Sequence, residues 1–249
     1  MPYLTPEAVE KCPIEGEFRL RGLDTTRIEV FVDAAFAFAV TMLAISFDAI
    51  PSNFEEMITA LKKSPAFIVA VAQLVWIWWA HNVWSRRFGL DDAMTAALSA
   101  ALVIVVMIYV YPLRVLAEGA FHWLTGGFLP GSFQLQSLDE LRDMFVILGI
   151  GFALLCALFC LFNAYALKRG EALHLDALER FHLGTSIRVW LGSAGCAALS
   201  ITLALLLPDR FVAFAGFGYA PLGVVLPLIE LARDRRAPRK ERTLVEGSL

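Results

Sequence analysis

Six long apolar stretches constrain this 249-residue chain more than any other feature of its sequence. They cover residues 29–49, 64–85, 93–116, 143–167, 186–207 and 211–232. A helix of about 20 apolar residues crosses the roughly 30 Å hydrocarbon core of a bilayer, and each stretch is long enough to do so. Short charged or Pro- and Gly-bearing segments separate them. The pattern predicts an all-α polytopic membrane protein with six transmembrane helices, which we number spans 1 to 6.

The composition excludes an ordinary soluble domain. Apolar residues make up 58% of the chain and charged residues only 18%, and the mean hydropathy is +0.65. Six apolar helices in a soluble protein would need far more polar sequence to cover them. The net charge of −3 also argues against a nucleic-acid partner, because such proteins usually carry a basic face.

The positive charges predict the orientation of the spans. Sixteen Lys and Arg residues lie before span 1, between spans 2 and 3, around the loop that joins spans 4 and 5, and after span 6, and five lie on the opposite side. Cytoplasmic loops carry the excess of positive charge, so both termini are expected in the cytoplasm. We therefore expect a cytoplasmic N-terminal segment at 1–28, a transmembrane domain at 29–232, and a basic, disordered cytoplasmic tail at 233–249.

Span 1 carries the sequence's most unusual residue, Asp33. A carboxylate costs roughly 2.5 to 3.5 kcal/mol at the centre of a membrane helix, so it requires a partner or water. At 100° per residue, Phe38, Thr41, Met42 and Ile45 share one face of the helix, and Asp33 points about 140° away from Phe38. Asp33 is therefore expected to face the protein interior. The apolar face fits either ordinary helix packing or a hydrophobic constriction, and the pattern alone does not separate the two.

Two short motifs resemble a known family. The string Arg27-x-x-x-Phe31-x-Asp33 resembles the Arg-x-x-x-Phe-Ser-Asp signature at the start of the first helix in the transmembrane protein 175 family, whose members are lysosomal and bacterial potassium channels. In span 2, Trp78-x-x-His81 resembles a Trp and His pair at the corresponding place. Six helices with cytoplasmic termini also match that family.

The resemblance implies a homotetramer in the bacterial inner membrane, with span 1 of each subunit lining a central pore. The permeant ion would be potassium or, with weak selectivity, other monovalent cations, and no further cofactor is expected. The family's narrow apolar ring falls on Phe38, with Met42 and Ile45 as further rings and Thr41 close by. This is the face that helical periodicity also selects.

The sequence departs from the family at two positions. The Ser between Phe and Asp in the signature is Val32 here, so a hydroxyl is missing from the polar network. Phe38 stands where the family usually has Ile or Leu. Four phenyl groups converging on one axis would fill the pore unless they rotate aside.

The five motif residues are expected to form a structural network rather than a catalytic site. These residues are Arg27, Phe31, Asp33, Trp78 and His81. Asp33 is expected to pair with Arg27 or with a polar group on span 2, for which His81 is the nearest candidate.

Two other functions stay open at this stage. Span 6 contains Gly216, Gly218, Pro221, Gly223 and Pro227, and interrupted helices often line the substrate sites of secondary transporters. A non-conducting membrane scaffold is the other alternative. An enzyme is not expected, because no combination of nucleophile, base and oxyanion donor can be assembled. No metal site is expected either, since the spacing of His and Cys residues does not suit one.

Overall fold

The computed structural model describes residues 5–45, 51–131 and 137–223. Its elements are α1 (Pro6–Glu10), β1 (Ile14–Glu15), β2 (Phe18–Arg19), α2 (Arg27–Ile45), α3 (Phe54–Lys62), α4 (Ser64–Phe88), α5 (Ala93–Leu124), α6 (Leu138–Lys168), α7 (Ala177–Leu206) and a 3-10 helix, η1 (Asp209–Tyr219). Within these ranges, five helices are long and apolar enough to cross a membrane, namely α2, α4, α5, α6 and α7. They correspond to spans 1 to 5.

The boundaries of these helices differ from the prediction mainly where charges lie at helix ends. Helix α7 begins at Ala177 rather than at residue 186, because a capping box starts it: Asp176 accepts from the backbone N–H of Glu179, and the Glu179 side chain accepts from the N–H of Asp176. Pro112 lies inside α5 without ending it, so this helix continues to Leu124 rather than residue 116. A prediction from apolar runs alone therefore underestimates the length of a helix whose ends carry polar residues.

Span 6 is described only in its first part. Its residues up to Tyr219 form a 3-10 helix, and α-helical residues begin only at Leu222. The rest of the predicted span, residues 224–232, and the predicted basic tail at 233–249 lie outside the described residues.

The 3-10 helix η1 lies in close contact with α7. A 3-10 helix has three residues per turn, so Val212, Ala215 and Gly218 form one row, and all three are buried. The hydroxyl of Ser200 donates to the carbonyl oxygen of Ala215 at 2.9 Å. A Cβ at Gly218 would lie 2.6 Å from the Cα of Ser200. This row of small residues brings the two backbones together.

Consecutive long helices alternate in direction, so the bundle has two ends. We call the end where α2 begins and α4 ends the lower end, and the opposite end the upper end. Helix α2 packs on α4 and α5, and α6 packs mainly on α5 and α7. The core between them contains the fully buried Leu74, Ile77, Leu102, Leu155 and Phe162.

The N-terminal segment folds onto the lower end of the bundle. After α1, strands β1 and β2 form a short antiparallel hairpin. The guanidinium of Arg21 then donates two hydrogen bonds to Glu179, at 2.9 and 2.7 Å, and both side chains are at most 1% exposed. The ring of Phe18 lies edge-on to Phe88 with centroids 5.9 Å apart. The segment before α2 is thus tied to α4 and α7.

A second polar cluster joins α5 and α6 at the lower end. Asp92 caps α5 by accepting from the N–H of Thr95, and it also accepts from the hydroxyl of Tyr165 and from Arg169. Partial burial alone would raise the pKa of Asp92, but the hydrogen bonds from Tyr165 and Thr95 outweigh burial and lower it to about 2. Asp92 is therefore ionised at any physiological pH.

Candidate functional site

Helix α2 has two faces of different character. Its buried face consists of Val32, Phe36, Ala39 and Leu43. These positions recur at three- and four-residue spacing, as expected for one side of a helix, and they pack on α4 and α5. Val32, which replaces the family's Ser, is fully buried in this apolar contact. The structure therefore gives the valine a packing role.

The predicted apolar stripe lies on the other side of α2. Phe38 is 54% exposed and Ile45 is 71% exposed. Thr41 is exposed as well, and Met42 is half-buried at the edge of this face. In a single subunit the stripe is therefore free of the bundle core, and it is available to a pore or to another subunit.

Small residues accompany the stripe. Ala34, Ala37 and Ala44 are all exposed on the same helix. The hydroxyl of Thr41 donates to the carbonyl oxygen of Ala37 at 2.9 Å. That bond uses the hydroxyl hydrogen, so the Thr41 oxygen still presents a lone pair to a donor or a cation.

Asp33 faces the bundle, as its angular position predicts. Its Oδ1 accepts a hydrogen bond from the indole Nε1 of Trp78 on α4 at 2.7 Å, and both residues are half-buried. The polar partner on span 2 is thus Trp78, and the prediction that His81 would supply it is wrong. An indole N–H is a fixed donor that satisfies a carboxylate without a counter-charge.

His81 has a different partner. It is buried, and its Nε2 lies 3.0 Å from the hydroxyl oxygen of Ser99 on α5. Its ring contacts Phe162 edge-on, with centroids 5.5 Å apart. His81 therefore joins α4, α5 and α6 in the core.

The remaining motif residues face outward. Arg27 is exposed, and Phe31 is 57% exposed. Arg27 and Asp33 both belong to the described part of the chain, and no ion pair joins them there. Nor do any three His, Cys, Asp or Glu side chains meet as a metal site within the described ranges.

Two features that support α2 were missed in the sequence. The first is a capping box at its start. The backbone N–H of Glu29 donates to the Thr26 hydroxyl at 3.2 Å, and the N–H of Thr26 donates to the Glu29 carboxylate at 2.7 Å. The pattern Thr-x-x-Glu before an apolar run is a known helix-start signal and would have placed this helix end.

The second missed feature is a buried charge pair on α5 beside the upper end of α2. Arg114 donates from Nε to Glu118 at 2.9 Å and from Nη1 to the carbonyl oxygen of Leu43 at 2.9 Å. The side chains of Arg114 and Glu118 are 9% and 4% exposed. An Arg and a Glu four residues apart at the end of an apolar run are the sequence signal that could have indicated this pair.

Comparisons with known proteins agree with this geometry. No protein-family model matches the sequence. A potassium channel of Marivirga tractuosa is 31% identical over 235 residues, which is 90% of this chain and 94% of that protein. A crystal structure of the potassium channel MtTMEM175, in a threonine-to-alanine variant bound to a nanobody–MBP fusion protein, superposes with a TM-score of 0.75. It is 29% identical, and the match covers 88% of this chain and 99% of that one.

The chain belongs to the transmembrane protein 175 family. It is an integral membrane protein, and because both relatives are channels, the expectation that it is not an enzyme is confirmed. Of the family-motif residues in this transmembrane protein 175 member, the structure brings Asp33 and Trp78 together. No side-chain hydrogen bond or ion pair that the structure describes joins Arg27, Phe31 or His81 to either of them.

Replacing Trp78 by phenylalanine tests the Asp33 contact in this family member. The variant keeps an aromatic ring but removes the donor, so we expect the free energy of unfolding to fall by about 1.5 kcal/mol. Thermal unfolding in detergent measures the loss. Trp79→Phe is the matched control, because Trp79 is the next residue and is 54% exposed. Equal loss in both variants would contradict a role for the Asp33 bond.

Proposed function

We propose that this protein is a cation channel in which four copies arrange α2 around a central axis in the bacterial inner membrane. The permeant ion would be potassium. The exposed face of α2 carries this proposal, and two relatives that are potassium channels support it.

The composition of that face favours contact between helices over contact with lipid. Ala34, Ala37 and Ala44 are small, and small residues allow helix backbones in a membrane to approach closely. The exposed face of α2 alternates these alanines with its large residues, Phe38 and Ile45. The exposed positions of α6 include more large aliphatic residues: Ile147, Ile150, Leu154 and Leu161. A surface like that of α6 is typical of contact with acyl chains. The face of α2 is therefore the better candidate for a four-fold assembly.

In such an assembly Phe38 would form the narrowest ring, followed by Thr41, Met42 and Ile45. An ion passing an apolar ring sheds part of its hydration shell. Potassium gives up water more readily than sodium, so such a ring favours potassium. The phenyl rings must rotate aside for ions to pass, and the oxygen of Thr41 offers a partial replacement for lost water.

Current measurements on purified protein in planar bilayers test this function. We expect wild type to carry potassium current that rises linearly with voltage. Phe38→Ala should raise the single-channel conductance, by about tenfold, and lower the preference for potassium over sodium, because it removes the apolar constriction. Ile108→Ala is the matched control, since Ile108 is an aliphatic residue on α5 that is 67% exposed, and it should leave both properties unchanged.

The alternatives give different results in the same assays. Flux that saturates with ion concentration would indicate a carrier. Silence of both wild type and Phe38→Ala would indicate a non-conducting scaffold. Mass measurement of the detergent-solubilised complex tests the tetramer independently, and a monomeric mass would contradict the shared axis.

A further inference from the structure

Two arginines hold backbone carbonyls at the upper end of the bundle. Arg142 on α6 donates to the carbonyl oxygens of Ala204 and Leu207 at the end of α7, at 2.5 and 2.9 Å, and to Asp209 at 2.7 Å. Arg114 on α5 donates to the carbonyl oxygen of Leu43 near the end of α2. A cation near the C-terminal part of a helix suits the helix dipole. The two arginines therefore make the same kind of hydrogen bond to different helices.

The surroundings of Arg114 are the more constrained. Its side chain is 9% exposed and that of Glu118 is 4% exposed. The acidic partner of Arg142, Asp209, is instead 72% exposed. A buried charge pair tolerates few arrangements, because two desolvated charges are stable only in geometries that keep them in contact. Glu118 lies one turn further along the same helix and binds the Nε of Arg114. This contact holds the guanidinium group of Arg114 toward α2.

The carbonyl that Arg114 binds belongs to the buried face of α2. Leu43 is 2% exposed, whereas its neighbour Met42 and the nearby Ile45 lie toward the opposite face. A bond to this carbonyl restrains the position of residues 40–45 along the axis of α2 and their rotation about that axis. The side chains of Met42 and Ile45 follow that rotation.

We propose that Arg114 is a positioning residue for the pore: it holds the upper turn of α2 and so sets the rings at Met42 and Ile45. This inference rests on the proposed channel function. Arginine suits the role because its rigid planar fork reaches a carboxylate and a carbonyl at once, whereas lysine is a flexible point charge. Lysine at this position would keep the positive charge, but it would not hold the carboxylate and the carbonyl in the same fixed arrangement.

The experiment compares Arg114→Met with the matched variant Arg142→Met, each in the full-length protein. Hydrogen exchange of backbone amides reports on each helix end. We expect exchange near residues 40–45 to accelerate about tenfold or more in Arg114→Met only, and exchange near residues 200–206 to accelerate in Arg142→Met only. In bilayers, Arg114→Met should change the potassium-to-sodium permeability ratio, while Arg142→Met should leave it at the wild-type value.

Conservative variants keep the test decisive if Arg114→Met assembles poorly. Arg114→Lys should restore part of the permeability ratio, and Glu118→Gln should shift the ratio in the same direction as Arg114→Met. Equal permeability ratios in Arg114→Met, Arg142→Met and wild type would overturn the positioning role and leave the channel function intact. Absence of current in wild type would overturn the channel function itself. Unchanged exchange at residues 40–45 would show, independently of current, that Arg114 does not hold α2.

Discussion

Glu179→Gln is expected to lower the free energy of unfolding by about 3 to 5 kcal/mol, because it leaves the buried guanidinium of Arg21 without its counter-charge. Arg21 and Glu179 are 0% and 1% exposed in their side chains and share two hydrogen bonds. Glutamine has nearly the same size and retains one acceptor. The loss therefore reports on charge and hydrogen bonding rather than on a cavity.

The same carboxylate has two further backbone donors. Its Oε1 accepts from the N–H of Arg19 at 2.9 Å, and its Oε2 accepts from the N–H of Asp176 at 3.1 Å. One side chain thus ties the hairpin strand β2, the segment before α2 and the first turn of α7. Its replacement should loosen all three, and thermal unfolding in detergent together with proteolysis of the N-terminal segment measures both effects.

Asp139→Asn is the control for Glu179→Gln. Asp139 also pairs with an arginine, Arg142, at 3.7 Å, but its side chain is 89% exposed. Exposed ion pairs contribute little to stability, so this variant should unfold at the wild-type temperature. Similar midpoints for the two variants would show that the buried pair does not stabilise the lower end.

Much of the bundle could be predicted from hydropathy, and the N-terminal segment could not. The starts of α4 at Ser64 and α5 at Ala93 agree with the predicted spans, because local apolar runs determine them. The segment at 1–28 has no apolar run, so its fold depends on contacts such as the one between Arg21 and Glu179. Those residues are 158 positions apart. A local pattern carries no information about such a pair.

Within the candidate site, helical periodicity predicted which face of α2 each residue occupies, but it did not predict which residue binds Asp33. The separation of Asp33 from the stripe of Phe38 follows from angles along one helix and agrees with the structure. The choice between Trp78 and His81 as the partner of Asp33 depends on the rotation of α4 relative to α2. The two candidates are one helical turn apart on α4, and a sequence does not report that rotation. The family resemblance pointed to both Trp78 and His81, but it did not indicate which of them binds Asp33.

A close backbone contact holds the N-terminal segment against the end of α4, and Gly89 makes it possible. Gly89 caps α4 in the left-handed conformation, with φ of 57°, and donates from its N–H to the carbonyl oxygen of Ser85 at 2.7 Å. Gly22 donates from its N–H to the carbonyl oxygen of Arg86 at 2.9 Å. A Cβ at Gly89 would lie 2.8 Å from the backbone N of Gly22 and 2.9 Å from the carbonyl carbon of Arg21.

Gly89→Ala should therefore cost about 1 to 3 kcal/mol beyond the strain of the left-handed conformation itself, because the added methyl meets backbone atoms that have little room to move. Gly16→Ala is the matched control: Gly16 has φ of 61°, and a Cβ there would have no neighbour within 4 Å. Both variants place an alanine in the left-handed conformation. The difference between their free energies of unfolding therefore measures the cost of the close contact at Gly89. Gly89→Ala should also expose the segment around Arg21 to protease, which Gly16→Ala should not. Equal destabilisation by the two substitutions would show that the N-terminal segment can shift away from α4 at no cost.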